Sequence, residues 1–352
     1  MGVMSWWQAY GWYSLRAWLW LLFDIITSGL FYSKKQVEPR DLKNNVVIVT
    51  GATSGIGKET ARLFVKSGAT VILACRNHTL GEQVKEEFYK DKATESSQIL
   101  VLSLDLASMD SIRSFVEQFQ RLQLPLHYLI LNAGVLGVDL SYTRDNVEMH
   151  FGVNHLGHFM LSLLLMETMI NTKHSRMVIV SSTMYVLGSL HFLDDMHYKK
   201  RRYSSFEAYA CSKLCNLLFM HELCKRCTSA NLNYPSIVAV HPGYVHTRVA
   251  RHLNEWVYYL YDRVASLFLS SPEQGAATVY AAAVDWKSFS GIFTTNVDQL
   301  LTLAPHAVDD SASKCLWRKS LSLLYLPPQV IDKLRYLGMV DEDEYLQCRI
   351  KR

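Results

Sequence analysis

The sequence carries little charge, no excess of one sign and no repeat. Acidic and basic residues make up 19% of the 352 positions and hydrophobic residues 49%, which excludes a disordered or solvating chain. No Gly-X-Y period, heptad array or repeat of about 20–50 residues occurs, so fibrous and solenoid architectures are excluded. Lys and Arg total 36 against 32 Asp and Glu. The resulting +4 is too small and too dispersed for a nucleic-acid footprint. The seven cysteines are an odd set without disulfide-like spacing. Cys211/Cys215 and Cys224/Cys227 share one predicted helix at the spacing of a zinc half-site. No second pair at ligand spacing follows, so they read as small buried hydrophobes. No Pro/Gly/Ser-rich linker interrupts 45–300, which reads as one domain.

What the chain does have is crowding at its start: five of its eight Trp residues lie in the first 20 positions. Residues 17–32 form an apolar run broken only by Asp24, with Arg16 before it and Lys34 and Lys35 after it. At about 1.5 Å per residue the run spans roughly 24 Å, short of the ~30 Å hydrocarbon core. The Trp- and Tyr-rich stretch Trp6–Tyr13, taken as an interfacial belt, brings it close to spanning length. Asp24 disfavours insertion, so an in-plane anchor competes with a spanning helix. An ordinary core helix and a cleavable signal peptide fit less well, the latter for want of a basic n-region. Trp6 at the position that would need Ser or Thr argues against myristoylation. Lys34, Lys35, Arg40 and Lys43 all follow the run, which places the body on the cytosolic side. Residues 1–43 are therefore expected to be an anchor and linker.

From Asn45 the texture alternates between strands and helices. Strands are expected at Asn45–Thr50, Thr70–Ala74, Ile99–Leu104, His127–Leu131, Arg176–Ser182, Ser236–Val240 and Gly291–Thr295. Helices are expected at Ile56–Lys66, Gly81–Tyr89, Met109–Leu122, Phe206–Cys227 and over a long stretch Arg144–Ile170. The pattern implies an α/β fold: one Rossmann-type, doubly wound parallel sheet of about seven strands with helices on both faces, over 44–305. Residues 306–352 form a C-terminal extension in which the pattern weakens.

The first strand runs into Thr50-Gly-Ala-Thr-Ser-Gly-Ile-Gly57 and then a helix. Gly51, Ser54, Gly55, Ile56 and Gly57 make a tight turn that lets backbone approach a pyrophosphate on the helix N-terminus. Arg76 ends the second strand, where an acidic residue would bind ribose hydroxyls and Arg accommodates a 2′-phosphate. NADP(H) is therefore favoured, with NAD(H) the alternative and Lys58 a second candidate cation. Asp105, ending the third strand, is placed for the adenine edge. Asn132, Ala133 and Gly134 after the fourth allow close backbone approach.

Tyr209 is the only one of 19 tyrosines with a Lys four residues later, Lys213. Residues i and i+4 share a helix face, and an ammonium beside a phenol favours phenolate, which brings Tyr209 toward working pH as an acid or base. A strand ending in Ser181-Ser182 supplies a hydroxyl to polarise a carbonyl. Asn154 reads either as a buried amide or as the holder of a relay water. His150, His155 and His158 surround it, with no carboxylate or cysteine at partner spacing, so no metal is expected.

These motifs, in this order over about 44–300, resemble the short-chain dehydrogenase/reductase superfamily. The resemblance implies that Tyr209 is the catalytic acid/base and that Lys213 binds the nicotinamide ribose and lowers the Tyr pKa. It also implies that Ser182 orients the substrate oxygen and Asn154 holds a relay water. His241-Pro242-Gly243 matches a further motif, which puts Pro242 and Gly243 along the cofactor and Thr247 at its carboxamide. Asp105-Leu-Ala-Ser, Asn154-His-Leu-Gly-His-Phe159 and Gln274-Gly-Ala-Ala277 are similar to membrane-associated retinol dehydrogenases. They also resemble an X-linked polyprenol dehydrogenase and the dehydrogenase part of the WW-domain oxidoreductase; Trp6 and Trp7 lie in the apolar run, not in a WW module. Two departures stand out. Leu131 replaces the first Asn of the usual Asn-Asn-Ala-Gly. Ser182 and Tyr209 are also further apart than is common, which implies an enlarged loop over Leu187–Tyr203.

After Gly243 the family places its substrate lid, here Trp256-Val-Tyr-Tyr-Leu-Tyr261. Trp256, Tyr258, Tyr259 and Tyr261 suit a greasy ligand or a membrane surface. The expected substrate is a lipophilic alcohol or its aldehyde or ketone, retinoid or polyprenoid favoured, with a steroid or other carbonyl as the alternative. A catalytically silent nucleotide sensor is the rival class. A membrane partner is expected at the endoplasmic reticulum or, alternatively, a lipid droplet, with a homodimer left open.

Overall fold

The computed structural model describes residues 37–91, 97–229, 235–245, 270–285, 290–295 and 299–350. The apolar N-terminal run, Thr247 and the aromatic segment 256–261 lie outside them. Strand β1 (Val46–Thr50) is buried at every position, as expected of a strand covered on both faces. It pairs in parallel with β2 (Thr70–Cys75) on one side and β4 (Tyr128–Leu131) on the other. With β3 (Ile99–Ser103), β5 (Arg176–Val180), β6 (Ser236–Val240), β7 (Ile292–Thr295) and β8 (Gln299–Leu301), the sheet order is β3-β2-β1-β4-β5-β6-β7-β8. The winding reverses between β1 and β4, which opens a crevice at their carboxyl ends where ligands bind in such sheets.

Alternation along the strands divides the core into two layers. Val46 and Ile48 face a layer with Phe115, Phe159 and Trp317. Val47 and Val49 face Phe64 and Tyr280. The helices are α1 (Gly55–Lys66), α2 (His78–Tyr89), α3 (Met109–Arg121), α4 (Gly157–Ile170), α5 (Ser205–Ser229), α6 (Pro272–Val284), α7 (Asp310–Leu323), α8 (Pro328–Tyr336) and α9 (Glu342–Ile350). Several are capped by side chains. Asn77 accepts from Leu80 N, Ser108 from Ser111 N, and Ser271 forms a capping box with Gln274 behind Pro272.

Besides the unexpected helix α6 (Pro272–Val284), the structure departs from the sequence expectations at four main points. An eighth strand, β8, pairs antiparallel with β7; at three residues it is too short to show a period. The helix expected from Arg144 starts only at Met149, because 143–147 fold as a turn on the Thr143 hydroxyl. A π-helical turn follows, Phe151–Leu156. The fifth strand stops at Val180, since Ser182 leaves the sheet to cap a 3-10 turn, Thr183–Leu187. The extension beyond 305 is helical, and its Leu316, Trp317 and Leu321 belong to the main core. Arg226 fixes it to α5 through Glu344 (2.8 Å), the Met339 carbonyl (2.9 Å) and a stack over Trp317 (4.4 Å). Among the described residues, no helix is long and apolar enough to cross a membrane.

Candidate active site

The turn after β1 is shaped by close backbone approach. Gly51 and Gly55 have φ of +69° and +54°, a region disfavoured for other residues. A Cβ at Gly57 would lie 2.4 Å from both the Gly51 carbonyl oxygen and Asn132 Nδ2. The turn therefore folds against the loop after β4. Asn132 Nδ2 donates to the Thr50 carbonyl (2.9 Å), and the backbone N–H groups of Asn132 and Ala133 donate to Thr50 Oγ1 (2.9 and 3.0 Å). Unlike the three helices above, α1 receives no cap from its own N-cap residue, Ser54; it also has no acidic residue in its first turn. Its first amides and positive dipole end are thus left for an anion, which fits a dinucleotide pyrophosphate. Ile56 and Pro242 meet α6 where Gly275 lets the helix in: a Cβ there would lie 3.2 Å from Ile56 Cγ1 and 3.3 Å from the Pro242 oxygen. Gly243 has φ +86°.

At the rim, Arg76 is exposed at the end of β2 and has no ion-pair partner among the described residues. Lys58 is engaged instead by Glu87 (2.6 Å), which also takes Arg62. These two cations hold the Glu87 carboxyl below its ordinary range. Asp105 turns its carboxylate onto Ala107 N (3.0 Å).

The candidate chemical centre lies along α5. Lys213 is buried, its Nζ donating to the Val180 carbonyl (3.0 Å) and standing 5.5 Å from the Tyr209 ring centre. Burial lowers the Lys213 pKa to about 8. Asn154, in the π-helical turn, is fully buried. Its Nδ2 donates to Val135 O (3.0 Å) and Ser212 Oγ (2.9 Å), while its Oδ1 accepts from Val135 N (2.7 Å). Ser212 in turn donates to the Tyr209 carbonyl (2.7 Å). A Cβ at Gly134 would lie 3.2 Å from Asn154 Oδ1 and 3.9 Å from Lys213 Nζ, so glycine keeps that space open. Ser182 Oγ accepts from Met184 N (3.2 Å), and Ser181 donates to the Lys213 carbonyl (2.9 Å).

Three buried histidines beside this centre are neutral. Burial lowers His155, His158 and His241 to about 3, with Lys213 adding to the effect at His158 and His241. His158 Nδ1 faces the Asn154 carbonyl (3.1 Å), which can only accept, so Nδ1 carries the proton and Nε2 accepts from Thr50 Oγ1 (3.0 Å). The lack of a carboxylate at metal-ligand spacing leaves room for another partner, and His150 has one in Glu148. Its Nδ1 lies 2.9 Å from Glu148 Oε1, with both residues fully buried. The Glu-x-His spacing was the available signal; it was missed because it is not a metal-ligand spacing. Thr50, Ser212 and Tyr203 were also missed, since isolated hydroxyls carry no sequence signature. Among the described residues, no group of three or more His, Cys, Asp or Glu could hold a metal ion. Burial pushes the Cys211 and Cys224 thiols up to about 12, so neither supplies a thiolate at neutral pH.

The short chain dehydrogenase family model matches residues 45–194. The chain is 40% identical to retinol dehydrogenase 12 of Mus musculus over 285 residues, covering 80% of this chain and 87% of that protein. It is 38% identical to retinol dehydrogenase 11 of Homo sapiens over 307 residues, covering 86% and 91%. With the human WW domain-containing oxidoreductase it shares 37% over 302 residues, covering 82% of this chain and 70% of that one. A crystal structure of an uncharacterized protein from Mycobacterium paratuberculosis superposes with a TM-score of 0.63 at 31% identity, covering 81% of this chain and 95% of that one.

Proposed function

This chain belongs to the short-chain dehydrogenase family, and on that premise we propose that it is a membrane-associated, NADP(H)-preferring enzyme that interconverts a lipophilic alcohol and its aldehyde. A retinoid or polyprenoid is the favoured substrate. An NAD(P)(H)-dependent oxidoreductase acting on CH–OH and C=O groups is what the family itself provides. The observation that carries the chemistry is Tyr209 beside the desolvated ammonium of Lys213, one helical turn apart on α5.

When bound, the nicotinamide cofactor supplies or accepts the hydride at the substrate carbon. Gly51, Ser54, Gly55, Ile56 and Gly57 would seat its pyrophosphate against the uncapped start of α1. Asn132, Ala133, Gly134, Pro242 and Gly243 would line its length. In the reducing direction the Tyr209 hydroxyl gives its proton to the carbonyl oxygen as that oxygen gains the electron pair of the C=O bond. Ser182 orients the same oxygen. Lys213, positive below about pH 8, stabilises the phenolate left on Tyr209. Asn154 spends both amide protons on fixing the loop after β4 to α5. The second lone pair of its Oδ1, facing the space at Gly134, is where a relay water would be accepted. Thr247 is assigned to the carboxamide on the motif alone.

Arg76, exposed at the end of β2 where a carboxylate would select NAD(H), supports NADP(H). The likeness to retinol dehydrogenases 12 and 11 supports a retinoid, and the aromatic segment Trp256–Tyr261 and the N-terminal Trp cluster support a lipophilic substrate met at a membrane. Retention of Asn154, Ser182, Tyr209 and Lys213 speaks against a silent sensor. The test is turnover by membranes carrying the full chain, supplied with NADPH and, separately, retinal, a polyprenal and a ketosteroid. Retinal or polyprenal is expected to react, with Tyr209→Phe slower by roughly 10²–10⁴-fold. Equal rates for wild type and Tyr209→Phe would overturn the catalytic reading. Turnover of the ketosteroid alone would replace the substrate class.

A further inference from the structure

We propose that His150 is a positioning residue for Tyr209, and that Tyr203 makes its seating depend on the turn 195–203. The inference rests on Tyr209 being the acid/base group of the proposed reaction.

The His150 ring is held from one edge. Its Nδ1 lies 2.9 Å from Glu148 Oε1. That carboxylate is itself fixed by two backbone donors at the start of the π-helical turn, His150 N (3.0 Å) and Phe151 N (2.8 Å). The Tyr203 hydroxyl donates to the Val138 carbonyl (2.7 Å), so its oxygen meets His150 Nδ1 (3.2 Å) as an acceptor. Both neighbours of Nδ1 therefore accept, and Nδ1 carries the proton. The remaining polar atom of the ring is Nε2. It is buried, with no hydrogen-bond partner among the described residues. An unsatisfied group of this kind in a native core calls for an explanation. The ring's contact with Tyr209 provides one: the two centroids are 6.5 Å apart at an interplanar angle of 77°, an edge-to-face arrangement.

Tyr203 connects this contact to a rigid surface turn. The Asp195 carboxylate collects the backbone N–H groups of Lys199 (2.8 Å), Lys200 (2.9 Å) and Arg201 (2.9 Å). Tyr198 holds φ at +52°, unusual for a bulky residue, with the Arg201 guanidinium 4.6 Å above its ring. The Tyr198 and Tyr203 rings meet edge to face at 5.0 Å. The enlarged loop between Ser182 and Tyr209 thus reaches the phenol through Tyr203 and His150. A loop that served only to enclose substrate would change KM; this connection makes it act on kcat as well.

The experiment measures kcat, KM, the pH profile of kcat and NADPH affinity for His150→Ala, His150→Phe and Tyr203→Phe in the full-length membrane enzyme. The substrate is whichever aldehyde of the panel wild type reduces, and Tyr209→Phe is the reference. His150→Ala is expected to lower kcat roughly 10–100-fold and to shift the pH profile, with NADPH affinity within about twofold of wild type. His150→Phe keeps a flat ring and should recover at least about threefold of that loss. Tyr203→Phe should lower kcat about 3–10-fold with little change in KM. A folded His150→Ala with wild-type kcat and pH profile overturns the inference, as does His150→Phe performing no better than His150→Ala. If His150→Ala does not fold, Tyr203→Phe decides, and wild-type kcat and profile there overturn the inference. Wild-type activity of Tyr209→Phe would bring down the catalytic reading itself, a separate result.

Discussion

The two ends of the crevice are built from different materials. At the nucleotide end, after β1, the groups that matter are backbone: positive-φ glycines, an uncapped helix start and the carbonyl of Gly51 against Gly57. At the chemical end, along α5, they are buried side chains: Lys213 on the Val180 carbonyl, Asn154 on Val135, and His150 on Glu148. The first end is defined by the absence of atoms, since one added carbon would collide with the chain. The second is defined by polar atoms taken out of water, each needing a partner. Mutations should therefore separate cofactor affinity from turnover according to the end they strike.

The largest effect on the backbone end is expected from Gly57→Val. Its Cβ would meet the Gly51 oxygen at 2.4 Å, so the turn must open. NADPH affinity, measured by fluorescence quenching, should fall roughly 10–100-fold, in keeping with about 1–3 kcal/mol of overpacking. The residual kcat at saturating cofactor should stay near wild type; a variant that binds normally would break the comparison. Arg76→Asp, at the rim of the same end, should move the NADP/NAD ratio of kcat/KM toward NAD by about tenfold or more, the scale of a charge-assisted hydrogen bond. An unchanged ratio would remove Arg76 from cofactor selection.

At the side-chain end the sharper probe is pH. Lys213 titrates near 8 rather than 10.5, so its ammonium is lost as pH rises through about 8. Reduction should decline over that range, and Lys213→Met should be slow and lack this limb in a stopped-flow pH series. Stability moves the other way. Between about 8 and 10.5 the unfolded chain binds the proton that the folded chain has released, so stability contributed by this group rises with pH there. The smallest effect is expected from Ser320→Ala in α7, which leaves buried His155 Nε2 without its 3.0 Å partner. The melting temperature should drop by the equivalent of about 1–3 kcal/mol, with kcat little changed. A large kcat loss would show that the C-terminal extension sets the position of Asn154 as well as its support.

Legibility followed the same division. The glycine turn, the strands β1 to β7 and the Tyr209–Lys213 pair could be read because each is a local pattern: a turn chemistry, an apolar run, an i,i+4 spacing. Glu148–His150 has such a local spacing as well, but it was read only against metal sites. Tyr203 could not be read at all, because its partners, Val138 and His150, are distant in sequence. The π-helical turn at Phe151–Leu156 likewise has no period of its own to show. The burial of Trp317 and Ser320 in the main core, from a stretch with a weak pattern, is a property of what α5 and α4 offer them.

The sequence alone determined that this is a dinucleotide-binding α/β chain with Tyr209 and Lys213 one helical turn apart. Those properties rest on residues close together in the chain, where backbone geometry leaves few choices. The tertiary structure decided which charges are free and which are used: Lys58 is taken by Glu87, Arg76 is left exposed, Lys213 is desolvated, and His155 and His158 are neutral. Burial and partner distance set those states, and neither exists until remote segments pack together.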